Sequence, residues 1–297
     1  MKQKFRLNIG LRADNIQKLD TINKIIEEFR GQGYKLTLRQ LYYQLVSRDL
    51  IENKDSEYKK LGKLLVKGRM AGVVDWDAIE DRLRKPYLPY WASDVPDAIN
   101  DILRSYRLDR MENQDVYIEL WVEKDALSGV LKKITSKYHI NLMVNRGYSS
   151  CSAMYDAYNR LEEQESDDKK TVILYLGDHD PSGLDMIRDI ETRLEEFGVN
   201  PVVEHIGITR SQIDKFNPPP NPAKITDPRA KWYIQEHGNV SWEVDALNPE
   251  TLNKLVSKHI EDRIDMDKFN EMLEREEGDK ETLRNFQDKV GEDDDGY

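Results

Sequence analysis

Cysteine is nearly absent: Cys151 stands alone among 297 residues. One cysteine excludes a disulfide framework and a cysteine-rich zinc site. The five histidines stand at no zinc-binding spacing. No apolar run approaches the roughly 18 residues that cross a bilayer, and the opening Met1-Lys-Gln-Lys-Phe5 has no apolar signal core. There is no glycine-rich phosphate loop and no internal repeat. What remains is the expectation of a soluble, intracellular (cytoplasmic) protein of two domains or one large one, with 38% hydrophobic residues to build a core.

Positive charge is short overall, with a net of −11, but it is unevenly spread. Residues 1–110 carry 22 Lys/Arg against 16 Asp/Glu, while residues 111–297 carry 23 against 40. A basic half suits a phosphate backbone. An acidic half can hold cations, or can simply be well solvated.

The most informative stretch is Thr171-Val-Ile-Leu-Tyr-Leu-Gly-Asp178-His-Asp180-Pro-Ser-Gly183. A short apolar run ended by glycine reads as a buried strand. Pro181 then suits the first turn of a helix, with Asp180 as its N-cap. Asp178 and Asp180 therefore fall where a strand hands over to a helix, the edge at which open α/β sheets bind ligands. Two close carboxylates favour a cation between them, and hard oxygen donors suit Mg²⁺. A plain Asp-Pro cap accounts equally for Asp180, though not for Asp178. His179, between the two, reads as a bystander.

The N-terminal half reads as helices over 14–30, 38–50 and 55–70. Leu38, Leu41, Tyr42, Leu45 and Val46 make one apolar stripe, with Thr37 as cap. At about 100° per residue Tyr43 falls off that stripe and Arg39 lies one turn before it. Tyr42 is thus expected in the core and Tyr43 outward, beside a guanidinium that can lower its pKa and hold a phosphate. The other reading is a surface tyrosine packed on an arginine. Lys59, Lys63 and Lys67, with Lys60 adjacent, stripe the third helix, either as a DNA contact or as a solvated face. Val73–Trp76 suggests a wing or a helix lead-in, Arg82, Arg84 and Lys85 add charge, Pro86 and Pro89 mark loop, and 97–107 reads as a helix.

From residue 116 strands and helices alternate. Strands are expected over 116–123, 140–144, 171–177 and 201–206, with helices over 125–137, 150–165 and 181–197, which implies a mainly parallel sheet covered by helices. Glu123 and Asp178 both close strands and can share one edge. Pro218–Pro222 reads as a stiff connector, Val240–Asp245 as a strand, 249–260 as a helix and Gly291–Tyr297 as a disordered acidic tail.

Taken together, Val122-Glu123-Lys124 followed by Gly177-Asp178-His179-Asp180-Pro181-Ser182-Gly183 resembles a Toprim domain, with Lys124 where many Toprim domains have glycine. Thr37-Leu-Arg39-Gln-Leu-Tyr42-Tyr43 resembles the catalytic-tyrosine motif of the topoisomerase VI A subunit and the meiotic double-strand-break transesterases. Trp242-Glu-Val-Asp-Ala-Leu247 is similar to a segment after the Toprim core in that family. The resemblance, over about residues 35–250, is closest to a free-standing mini-A form. It implies a winged-helix (CAP-like) domain over 1–110 and a Toprim domain with a C-terminal extension over 111–297. By it Tyr43 is the nucleophile with Arg39 beside it, Glu123, Asp178 and Asp180 bind Mg²⁺, and the lysines meet double-stranded DNA. It further implies a homodimer, in which the tyrosine of one subunit meets the metal site of the other, and a separate GHKL-type ATPase subunit. The expected function is Mg²⁺-dependent DNA cleavage by tyrosine transesterification. The rivals are a Toprim nuclease that uses a metal-activated water and a non-catalytic DNA-binding adaptor.

Overall fold

The computed structural model describes residues 2, 4–5, 10–79, 89–145, 147–223, 227 and 229–294. Arg82, Arg84, Lys85 and Pro86 lie outside the described residues.

Three helices open the chain: α1 (Ala13–Gly31), α2 (Leu38–Ser47) and α3 (Asp55–Met70). Leu19, Ile22, Ile26 and Phe29 recur at helical spacing on α1 and bury against Leu41 and Leu45 of α2 and Leu61 and Leu65 of α3. Thr37 starts α2 with a reciprocal capping box to Gln40. On α3 the leucines face inward and Lys59, Lys60, Lys63 and Lys67 stay exposed. Val73–Trp76 leads into a single 3-10 turn, Trp76–Ala78, so the helix lead-in is the alternative realised. Helix α4 (Val95–Ser105) follows, begun by Asp94, whose side chain accepts from the Asp97 N–H.

The order is then β1 (Val116–Val122), α5 (Ser128–Tyr138), β2 (Asn141–Val144), α6 (Cys151–Ser166), β3 (Lys170–Leu176), α7 (Pro181–Phe197) and β4 (Val202–Gly207). The strands form one parallel sheet in the order β2-β1-β3-β4. The chain is therefore a mixed α/β protein with a four-stranded parallel sheet, as the alternation implies. After it come α8 (Arg210–Phe216), β5 (Asn221–Pro222), α9 (Ala230–His237), β6 (Val240–Ser241), α10 (Pro249–Glu261) and α11 (Met266–Asp294). Two expectations need correction here. The strand over Val240–Asp245 stops at Ser241 and gives way to a 3-10 turn, Val244–Ala246. The acidic end is helical as far as Asp294, as part of α11.

Helices cover both faces of the sheet. Ile118, Leu120, Leu174 and Leu176 pack with α5 and α10 on one side, through residues such as Leu131, Leu252 and Val256. Trp121, Ile173 and Tyr175 pack with Met154 of α6 and Met186 of α7 on the other. The alternating face of β1 that carries Tyr117, Glu119 and Trp121 is thus buried too. Glu119 is completely buried there and is matched by a two-pronged Arg160 contact at 2.7 and 3.0 Å and by Trp121 Nε1 at 2.8 Å. Among the described residues no helix is long and apolar enough to cross a membrane.

The long α11 clasps α4 and the segment after it. Phe269 and Met272 supply its buried apolar turns, and the next buried position on that stripe is Glu276. Arg110 grips this carboxylate at 2.8 and 3.1 Å, and Lys280 reaches it at 2.6 Å. Burial works against the charge, but the bonds from Arg110 and Lys280 win and hold the carboxyl down at about 2. A depressed carboxyl contributes stability above its ordinary 4.5 and loses it as pH falls toward 2. Arg110→Met should therefore cost roughly 1–3 kcal/mol at neutral pH, since it removes two hydrogen bonds from a buried carboxylate and leaves Lys280 as its cation. Urea titrations at successive pH values should show the parent losing stability between 4.5 and 2, with a shallower loss in the variant. Equal slopes would show that this pair does not govern acid sensitivity.

Candidate active site

Glu123 follows β1 directly and Asp178 follows β3 after one glycine, so neighbouring strands deliver both to the carboxyl edge of the sheet. The Asp178 N–H donates to Glu123 Oε2 at 3.2 Å. Two glycines let the chain turn this tightly. A Cβ on Gly177 would stand 2.4 Å from Cε1 of the Tyr175 ring, and one on Gly183 would stand 2.2 Å from the Asp178 carbonyl oxygen. Asp180 caps α7 as its sequence context implies, with Oδ1 accepting from the Gly183 N–H at 2.7 Å and from Ser182 Oγ at 2.9 Å. Beneath this edge lies the Tyr175 hydroxyl, buried and without a hydrogen-bond partner among the described residues. Burial, then Glu123, Asp178 and Asp180, push its pKa up. The three expected metal ligands thus surround one neighbourhood. Among the described residues, however, no three His, Cys, Asp or Glu side chains gather at metal-holding spacing.

The cation at Asp178 is the ammonium of Lys124. Its Nζ lies 2.7 Å from Asp178 Oδ2, 2.9 Å from Glu243 Oε2 and 3.3 Å from Asp245 Oδ1. Trp242 brings the latter two there: it pairs with His179 through backbone bonds of 2.8 and 3.1 Å, which lays the segment after β6 against the end of β3. The Val244 N–H then donates to Asp178 Oδ1 at 2.9 Å. Burial lowers the Lys124 pKa, but Asp245, Asp178 and Glu243 outweigh it and keep the ammonium charged. Asp178 moves the other way: burial, with Glu123 and the other carboxylates, outweighs Lys124 and pushes its proton affinity up. Its neighbour His179 is buried and packed, bonded to Tyr233 at 2.8 Å and held neutral by burial.

Helix α2 meets the same cluster. Arg39 pairs with Glu243, and its Nε lies 2.8 Å from Asp245 Oδ2. Its guanidinium stands 5.8 Å from the centre of the Tyr43 ring, beside it as the wheel implies. The outward position expected for Tyr43 is not what the fold makes. Tyr43 is only 4% exposed, barely different from Tyr42 at 5%. A wheel of one helix cannot see the segment that covers it: Asn221 of β5 donates to Tyr43 Oη at 3.4 Å, and the Glu243 carboxylate lies beside the same hydroxyl. The expected lowering of the phenol's pKa by Arg39 is likewise reversed. Burial first, then Glu243 and Asp245, raise it and hold Tyr43 as a neutral phenol. Tyr42 bonds to Asn53 Oδ1 at 2.9 Å and stacks edge-on with Tyr58.

Both tyrosines line a cleft of about 330 Å³ whose other walls include Arg39, Lys54, Asn221 and Glu243. Another cavity of similar size lies between α1, α2 and α3, away from the carboxylates. Sequence reasoning leaves Lys124, Asn221, Glu243 and Asp245 out of the site. Glu243 and Asp245 repeat the two-residue carboxylate spacing of Asp178 and Asp180, a signal by which they could have been found. Asn221 carries no such signal.

Lys124 serves several carboxylates, so its loss should not be additive with theirs. Lys124→Met should cost roughly 3–5 kcal/mol by leaving buried Asp178 without its cation, while Arg39 stays on Glu243 and Asp245. Adding Asp178→Asn should return part of that. A thermodynamic cycle by chemical denaturation measures the coupling, and costs that simply add would mean the charge is not shared. Comparison of the chain with protein-family models, with curated proteins and with solved structures finds no match in any of the three.

Proposed function

We propose that this chain cleaves double-stranded DNA by tyrosine transesterification, as a mini-A relative of the topoisomerase VI A subunit. One observation carries the proposal: Tyr43 shares a cleft with Arg39 and Glu243, and Glu243 joins it through Lys124 to Asp178. A proposed nucleophile, a guanidinium suited to a phosphate and a carboxylate cluster at a sheet edge stand together, drawn from four distant parts of the chain. In this reading residues 1–110 are a winged-helix domain and residues 111–297 a Toprim domain with its C-terminal extension. The Tyr43 oxygen attacks a phosphodiester, leaving a 5′-phosphotyrosyl link and a free 3′-hydroxyl that can reverse the step. Arg39 supplies a planar, two-pronged donor for the phosphate. The exposed lysines of α3 follow the DNA backbone. The working form is a homodimer served by a separate GHKL-type ATPase.

Mg²⁺ belongs to the proposal through the chemistry of the donor set. Glu123, Asp178 and Asp180 would hold it, and it would offset charge on the phosphate and the leaving oxygen. Among the described residues these side chains do not gather at metal-holding spacing, so they would have to draw together about the ion as Lys124 leaves Asp178. Lys124 competes for the same carboxylate. Calorimetric titration should therefore show Mg²⁺ binding lost in Asp178→Asn and tightened in Lys124→Met. Identical binding in both variants and the parent would remove the metal assignment.

One observation favours the second reading, a nuclease that uses water: Tyr43 is buried, with its hydroxyl covered by Asn221. Incubation with supercoiled duplex and Mg²⁺, followed by denaturation with and without protease, separates the two. Transesterification predicts protein-linked 5′ ends that vanish in Tyr43→Phe. Cleavage without linked protein supports the nuclease, and binding without cleavage supports the adaptor. Replacing Lys59, Lys63 and Lys67 by alanine should flatten the slope of log affinity against log salt by about 0.9 for each phosphate that is no longer neutralised. An unchanged slope would make the stripe a solvated face.

A further inference from the structure

We propose that the exposed ring of Tyr148 is a platform that holds a nucleobase which has left the duplex stack. The proposal rests on the reading of DNA as the substrate and is independent of which residue attacks it. Tyr148 stands in the turn between β2 and α6, on the same carboxyl edge of the sheet as Glu123 and Asp178. Its ring is 43% exposed and yet tied down. The hydroxyl donates to Asp185 Oδ2 at 2.7 Å. The Arg229 guanidinium lies over the ring, 5.3 Å from its centre. Arg229 is itself fixed, by Asp185 at 2.9 Å and by a two-pronged contact with Asp227 at 2.8 and 3.2 Å. Asp185 stands little more than one turn along α7 from its cap Asp180, an axial rise of about 7–8 Å. Three separate segments thus orient one ring close to the edge where cleavage is proposed.

The charge around the ring is balanced. Arg229 pairs with Asp185 and Asp227, Arg188 with Asp185 at 2.8 Å, and Arg193 with Asp189 at 3.5 Å. The surface left over is the free face of the ring, and every base has a π face to match it. A guanidinium behind an aromatic ring and a base in front of it form one layered stack. The turn is also short of polar partners. Neither atom of the Asn145 amide, in a residue 8% exposed, has a partner among the described residues, and nor has the Ser149 hydroxyl. An amide calls for a donor and an acceptor together. A base edge supplies both, whereas a phosphodiester supplies acceptors only.

Within a duplex both faces of each base are covered by its neighbours, so a base reaches Tyr148 only where the stack is broken. A strand end, a gap or a bend that unstacks one step provides such a base. Holding it on Tyr148 stabilises the opened form beside the carboxylates. The chain should therefore prefer DNA with unpaired bases over the fully paired duplex.

The test measures the affinity of the full chain for a paired duplex and for the same duplex with a short unpaired gap, at one salt concentration. The parent, Tyr148→Leu and Tyr148→Trp are compared, with melting recorded beside them. The parent should bind the gapped duplex more tightly, by about fivefold to about a hundredfold. Tyr148→Leu keeps apolar bulk without a π face and should bring the two affinities together, while Tyr148→Trp should retain the preference. In parallel, 5-iodouracil in the gap is photocrosslinked to the parent and the modified peptide is located by mass spectrometry, a readout that needs no variant to fold. The crosslink should fall on Tyr148. Equal affinity of the parent for both DNAs, a preference that survives in Tyr148→Leu, or a crosslink confined to other residues overturns this proposal alone. A parent that binds neither DNA overturns the DNA reading and this proposal with it.

Discussion

The ammonium of Lys124 holds the site together. It lies among Asp178 at the end of β3 and Asp245 after β6, both buried, and Glu243, which is half-buried. Three such close carboxylates without a cation would repel one another, and the two buried ones would carry an uncompensated desolvation cost. With Arg39 as a second cation, the same cluster fastens α2 to the sheet edge. The apolar core runs the same way: Val130 of α5 and Ala246 complete the cluster built by α1, α2 and α3. Charge and packing therefore fix one geometry, in which a tyrosine from the basic half faces carboxylates from the acidic half.

That geometry is self-satisfied. Arg39 and Lys124 are spent on carboxylates of the same chain, and Tyr43 is a neutral phenol under Asn221 and Glu243. On the proposed function this describes a resting state: the groups that would bind a phosphate are paired internally until a phosphate competes for them. An anionic substrate is suited to open such an arrangement, because it offers both cations a partner of the same sign as the one they leave.

Elements with strong local signals were legible in the sequence. Pro181 to Phe197 is a helix with Asp180 as its cap, and Asp55 to Met70 is a helix with its lysines outward, because caps and apolar stripes lie within each segment. The parallel sheet followed from alternation alone. What failed depended on tertiary neighbours. Tyr43 looked outward on a wheel that contained only α2, while its cover comes from residues 221 and 243. Helix α11 was missed because its stripe passes from Phe269 and Met272 to Glu276, a buried charge satisfied by distant Arg110. Lys124 read as a departure from a motif, although its charge is what allows the carboxylates to meet.

The central claim is that the Tyr43 oxygen is the atom that reacts with DNA. The most direct test is to trap the denatured protein–DNA complex, digest both polymers and locate the nucleotide-bearing peptide by mass spectrometry. The account predicts a nucleotide 5′-phosphate on Tyr43 and none on its neighbour Tyr42 or on Tyr58 across the cleft. A nucleotide on another residue, or cleaved DNA whose 5′ ends carry no peptide at all, would contradict it.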